Sequence, residues 1–181
     1  MTTADRVGVT GFATPSDTEI EVTRVVDASR AYAPPGITVE RSGSEQFVRV
    51  AADRDKVRQV VANLVENAIK YSPDGGRIEV GIEAGEEALF HVRDEGRGIP
   101  PEERARVFEK FYRVDPHMRH GVGGTGLGLY ICSELVSRMG GRIWVEANEA
   151  KGSTFLVALP LAESLPLDRA AAETAELLQR Q

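Results

Sequence analysis

Apolar residues recur along this chain in two rhythms, a helical one of about 3.6 residues and a strand one of about 2. Val57, Val60, Val61, Leu64, Val65, Ala68 and Ile69 fall on one broad arc of a helical wheel, and Asp53 stands where an N-cap belongs. That predicts a helix from Asp53 to about Tyr71, closed by the turn SPDGG. Val22, Val25 and Val26 predict a shorter helix that begins near Thr18 and stops before Pro34 and Pro35. GLGLYICSELVSRMG, from Gly126 to Gly140, predicts a third, ended by Gly140 and Gly141. Strand-like alternation marks ITVE (37–40) and FVRV (47–50). RIEVGIEA and ALFHVRD are separated only by a Gly-Glu-Glu turn, and RIWVEA is followed by STFLVALP, so each pair predicts a hairpin. Pro100 and Pro101 open a short predicted helix over EERARVFEKF, and the stretch from Tyr112 to Thr125 reads as a loop.

Helices thus alternate with hairpins rather than with single strands. This favours an α+β fold, a two-layer α/β sandwich, over a doubly wound parallel sheet. The expected sheet is mixed, mostly antiparallel, and covered by helices on one face. Residues 1–17 have no clear period and read as a linker or the remnant of a missing element. Residues 18–160 form the domain, and 161–181, with LDRAAAETAELLQRQ, read as an amphipathic tail.

Composition narrows the class. The 181 residues have room for one domain with a core, and 41% hydrophobic with 28% charged residues is ordinary for a soluble protein. No apolar run approaches the about 20 residues that span a bilayer, and MTTADRVGVTGF lacks the apolar centre of a signal peptide. A net charge of −6 argues against a general nucleic-acid binder. The single cysteine, Cys132, has no internal partner, fits a reducing compartment and is expected to pack in the core.

Chemistry concentrates beside the buried arc of the central helix. Asn63, Asn67 and Lys70, spaced i, i+4, i+7, share one narrow edge. A carboxamide oxygen suits Mg²⁺, and an ammonium suits phosphate. An ordinary ion pair between Glu66 and Lys70, with Asn63 capping a loop, accounts for the helix alone slightly better. VRDEGRGIP ends a strand in an acid and two glycines, where Asp94 is able to accept from an exocyclic amine; a plain Asp-Gly turn has the same signature. GVGGTGLGL leads straight into a helix, whose free amides attract phosphate. Gly121, Gly123 and Gly126 match G-x-G-x-x-G formally, with Glu146 near the ribose-acid position, but no strand precedes them. Leu stands where a phosphate loop requires Lys-Ser/Thr. A lid that closes over nucleotide remains.

Taken in order, NLVENAIKYS, DEGRGIP, FEKFYR and GGTGLGL resemble the N, G1, F and G2 boxes of sensor histidine kinases, and GSTF (152–155) is similar to the last turn of the same domain. The match covers about Thr18 to Pro160. The resemblance implies the Bergerat ATP-binding fold, shared with gyrase, Hsp90 and MutL. It implies ATP and Mg²⁺ as ligands, with Asn67 on the metal and Asn63 helping on the phosphate side. Lys70 would hold the terminal phosphates, Tyr71 would pack on base or sugar, and Asp94 would read the adenine amine. Gly96 and Gly98 would make room for the ring. Arg113, with Arg119, would reach the γ-phosphate from the lid. Gly124, Gly126 and Gly128 would form the lid hinge and helix start, and Thr154 would support Asp94 directly or through water. Ile99, Thr125 and Leu127 are counted with the same nucleotide-binding set. Phe108 and Phe111 would anchor the lid, and His117 and His120 would be solvated.

Related ATPases carry a water-activating glutamate where Asn63 stands, and Glu66 lies about 100° from Asn67 on the wheel. Little hydrolysis by water is therefore expected. None of His91, His117 and His120 lies in the helical context of an acceptor. The expected function is the catalytic ATP-binding domain of a two-component histidine kinase. Asn63, Lys70 and Arg113 act in transfer, and the acceptor histidine sits on a separate dimerisation domain. A response regulator receiver is the further partner. The chain itself is expected to be cytoplasmic and soluble, and the resemblance leaves room for a membrane-anchored parent. Two alternatives stand beside this reading: a stand-alone serine kinase acting as an anti-sigma factor, and a non-catalytic nucleotide-sensing module.

Overall fold

Asp53 starts the central helix as its position demands. Its Oδ1 accepts from the amides of Asp55 at 2.9 Å and Lys56 at 3.2 Å, two of the donors a helix start leaves unpaired. In the computed structural model, which describes residues 16–43, 48–114 and 125–162, this helix is the second of three. They are α1 (Thr18–Tyr32), α2 (Arg54–Lys70) and α3 (Gly128–Arg138). The strands are β1 (Ser16–Asp17), β2 (Ile37–Gly43), β3 (Arg49–Val50), β4 (Gly76–Ala84), β5 (Glu87–Asp94), β6 (Arg142–Ala147) and β7 (Ser153–Pro160).

Five strands form one sheet in the order β2-β4-β5-β7-β6. Only β2 and β4 run parallel; the β4–β5, β5–β7 and β6–β7 pairs are antiparallel. Both predicted hairpins are present. Ala88, Phe90, Val92 and Asp94 of β5 point into the protein, while Glu87, Leu89, His91 and Arg93 alternate onto the opposite face. The three helices cover the inner face, with α1 against α2 and α2 against α3. The α2 stripe is buried as its period requires, Leu64 and Val65 completely, against Ile78, Val80 and Val92 of the sheet. Cys132 of α3 is buried and its thiol donates to the Val60 carbonyl at 3.9 Å, a packing role.

Three local readings change. Ser16–Asp17, read as the end of a linker, pairs antiparallel with β3. EERARVFEKF is not one helix but two 3-10 turns, Pro101–Glu103 and Arg106–Phe108. The backbone becomes extended at Glu109 and left-handed at Phe111, with φ of 65°, neither of which an α-helix accepts. The third helix begins at Gly128 rather than Gly126. The predicted tail, the N-terminal stretch to residue 15, and residues 115–124 lie outside the described residues. Among the described residues, no helix is long and apolar enough to cross a membrane.

Candidate functional site

The polar edge of α2 opens onto a cleft with two lobes. Asn63, Asn67 and Lys70 line an outer lobe of about 290 Å³, together with Glu66, Arg113, Thr125, Gly126 and Gly128. An inner lobe of about 300 Å³ is lined by Asp94, Gly98, Ile99, Pro100, Ser153 and Phe155. Asn67, Tyr71, Val107, Tyr112, Arg113 and Leu129 border both, so the two lobes are continuous. The outer end carries two amides, Asn63 and Asn67, with Lys70, while Arg113 borders both ends and Arg97 lines the inner one. The inner end is a largely apolar slot with one buried carboxyl group.

That group is Asp94, at 4% exposure. Its Oδ1 accepts from the backbone N–H of Gly96 at 2.8 Å and of Ser153 at 3.3 Å. Burial holds its pKa above the ordinary carboxylate value, and the two amide bonds pull against that rise. Among the described residues both amides use Oδ1, which leaves Oδ2 as the acceptor still available. Asn148 braces the same turn: its Nδ2 donates to the Asp94 carbonyl at 2.6 Å, and its Oδ1 accepts from the Thr154 hydroxyl at 2.6 Å. Gly152 closes the bracket. Its φ is +89°, and a Cβ there would strike the Asp94 carbonyl oxygen, so only glycine allows the approach.

At the outer lobe, α3 starts without a cap, since Leu127 in the N-cap position has no side-chain acceptor. Among the described residues no side chain caps its first amides, which can serve another acceptor. A Cβ on Gly128 would meet nothing within 4 Å among the described residues, so none of them fills the space beside this helix start.

Comparison with known proteins places this geometry. Residues 52–163, more than half the chain, match the family described as histidine kinase-, DNA gyrase B-, and HSP90-like ATPase. The chain belongs to this ATPase family. It is 45% identical over 126 residues to the sensor histidine kinase WalK of Bacillus subtilis strain 168, covering 68% of this chain and 21% of that protein. The chain spans about a fifth of the length of the curated relatives it matches. Among solved structures it superposes on the mycobacterial sensor histidine kinase MprB, with TM-score 0.70, 31% identity and coverage of 82% of this chain and 97% of that one. It is similar also to full-length ShkA in complex with AMPPNP, with TM-score 0.72, 31% identity and coverage of 82% and 31%. Its sandwich is the Bergerat fold of those ATP-binding domains, and within the family the chain is of the histidine kinase type.

The ATPase-family cleft gathers most of the residues expected from the sequence. Asn63, Asn67, Lys70, Tyr71, Asp94, Gly98, Ile99, Arg113, Thr125, Gly126 and Gly128 all line it. Gly96 does not; a Cβ there would meet the Tyr71 carbonyl, so its smallness serves the packing of the turn on the end of α2 rather than a bound ring. Leu127 also lies outside the lining and contributes the carbonyl that accepts the Ile131 amide at 2.8 Å. Thr154 is on the outer face of β7 and reaches Asp94 only through Asn148. Arg119, Gly124, His117 and His120 lie outside the described residues.

Two readings need correction. Phe111 does not anchor anything with its ring, which is 63% exposed with the Lys110 ammonium 5.1 Å away. Its backbone N–H donates to the Gly126 carbonyl at 3.0 Å, and that bond ties the two ends of the loop together. Phe108 is packed edge-on against Phe155, at 6.4 Å between ring centroids. Glu66 lies about 100° from Asn67 on the helical wheel, yet it lines the outer lobe. It is three residues from Asn63 and four from Lys70, so it shares their flank. One ground for expecting no water-activating group is thereby removed. The lining residues not foreseen, besides Glu66, are Arg97, Pro100, Val107, Tyr112, Val114, Leu129, Ser153 and Phe155. The alternation of STFLVALP shows that Ser153 and Phe155 share a face, but not that the face meets Asp94.

Proposed function

We propose that this cleft binds ATP with Mg²⁺ and that the domain presents the γ-phosphoryl group to a histidine on a separate dimerisation domain. The observation that carries this reading is the continuity of the slot holding the buried Asp94 carboxyl with a lobe that bears Asn63, Asn67, Lys70 and Arg113. Adenine fits the first by shape and by its exocyclic amine. A triphosphate fits the second by charge, by the uncapped start of α3 and by the open space at Gly128.

The donor set also suits the metal. Among the described residues no group of three or more His, Cys, Asp or Glu forms a cage. An amide oxygen on Asn67 with substrate phosphates and water is the kind of shell Mg²⁺ accepts. When bound, the ion neutralises charge on the outer phosphates. Asn67 orients it, Asn63 contacts the phosphate side, and Lys70 and Arg113 place positive charge at the transferring group. Tyr71 and Ile99 flank the base, and Asp94 selects it. The acceptor imidazole nitrogen forms its bond to phosphorus as the bond to the ADP oxygen breaks, and ADP leaves. The phosphoryl group then passes to a response regulator. The sensor-kinase relatives support this reading over the anti-sigma and non-catalytic ones.

The test is to mix the chain with labelled ATP, Mg²⁺ and the dimerisation domain of a similar kinase, and to look for acid-labile phosphohistidine. Asn67→Ala should remain folded and lose transfer. Unchanged transfer by that variant removes Asn67 from the metal site. A folded wild-type chain that takes up no adenine nucleotide in calorimetry overturns the proposal.

A further inference from the structure

Glu66 is the one acidic residue among the described residues that line the outer lobe. It stands at the end of the cleft that is not shared with the adenine slot: Asn67 and Tyr71 border both lobes, while Asn63, Glu66 and Lys70 border only the outer one. It is exposed. A carboxylate facing a triphosphate repels it unless a cation lies between them. A carboxylate beside a hydrated divalent ion does the reverse, since Mg²⁺ keeps several waters and groups beyond its first shell orient them.

We propose that Glu66 is a metal-positioning residue. Its carboxylate accepts from a water of the divalent cation at the outer phosphates, and so makes nucleotide uptake conditional on that cation. This rests on the ATP reading above and adds to it a reason for metal dependence. Asn67 supplies a neutral oxygen and does not repel free nucleotide; Glu66 supplies the charge that does. The domain then discriminates against metal-free ATP before any acceptor arrives. The effect should be larger for a triphosphate than for a diphosphate, because Glu66 borders only the outer lobe.

The experiment is calorimetric titration of the full chain and of Glu66→Gln with adenylyl imidodiphosphate, once with excess Mg²⁺ and once with EDTA, followed by the same titrations with ADP. Glu66→Gln should weaken the Mg²⁺ complex about tenfold and tighten the metal-free complex about two- to fivefold. The ratio of the two affinities therefore shrinks, and it shrinks less for ADP. A variant whose two affinities move by the same factor, or do not move, overturns the assignment of Glu66 while leaving the ATP reading intact. A wild-type chain that binds neither nucleotide in either condition overturns the ATP reading itself, and this inference with it.

Discussion

Asp94→Asn keeps the shape of a buried side chain and removes its charge. The variant retains an oxygen that accepts from the amides of Gly96 and Ser153, now at 2.8 and 3.3 Å from Oδ1. It loses the cost of burying a carboxylate at 4% exposure, the cost that raises the Asp94 pKa. The folded state holds this proton more tightly than the unfolded one. The wild type therefore loses stability, relative to the variant, as pH rises from the ordinary value of 3.8 through the raised folded value. At neutral pH Asp94→Asn should be as stable as the wild type or more so. Binding should go the other way. A hydrogen bond to a charged acceptor contributes about 1.5–3 kcal/mol, a factor of roughly 10 to 150 in affinity. The new amide also turns an N–H donor toward the donating amine of adenine. Calorimetry with an ATP analogue, paired with urea denaturation at acid and neutral pH, measures both. Adenine affinity within twofold of wild type would refute the role given to Asp94. A stability loss above about 2 kcal/mol would show that the carboxylate serves the fold instead.

Gly152→Ala should cost about 2–5 kcal/mol, the sum of a left-handed conformation and a Cβ pressed on the Asp94 carbonyl, read from urea midpoints; an unchanged midpoint would contradict the packing described. His91 has its pKa lowered by burial, with Glu79 and Glu83 raising it and Arg93 lowering it, and its Nε2 lies 3.3 Å from the Ser42 hydroxyl. Its contribution to stability is present above the ordinary 6.5 and lost as pH falls through the lowered value, so His91→Leu should flatten the stability profile on the acid side of 6.5. Asp53→Ala should lower stability through the lost cap of α2, as seen in denaturation, and should leave nucleotide affinity within about twofold. Leu64→Ala, at a fully buried site facing the sheet, should cost about 2–5 kcal/mol in the same assay.

The valine stripe of α2 forced one face inward, and the amide edge beside it followed from the same 100° step. The hairpins were legible because a two-residue period and a short turn leave few other pairings. What escaped depended on a neighbour. Glu66 looked idle on a wheel that carried no partner helix; the start of α3 and the segment around Arg113 turn its flank into a wall. Thr154 looked close to Asp94 along the motif, yet alternation puts it on the far face of β7, and Asn148 carries the link. Phe111 looked like a lid anchor from the motif, but a left-handed backbone and the bond to Gly126 turn its ring out.

The order of residues alone determined which faces are apolar, where α1 and α2 begin, and which donors exist, because these follow from chain contiguity and side-chain chemistry. Tertiary structure alone decided the parallel entry of β2 beside β4 and the meeting of Asp94 with Ser153 and Gly152. It also decided the closing of the outer lobe by α3. Those contacts join segments far apart in the chain, and only the packing of one buried face against another brings them within hydrogen-bond reach.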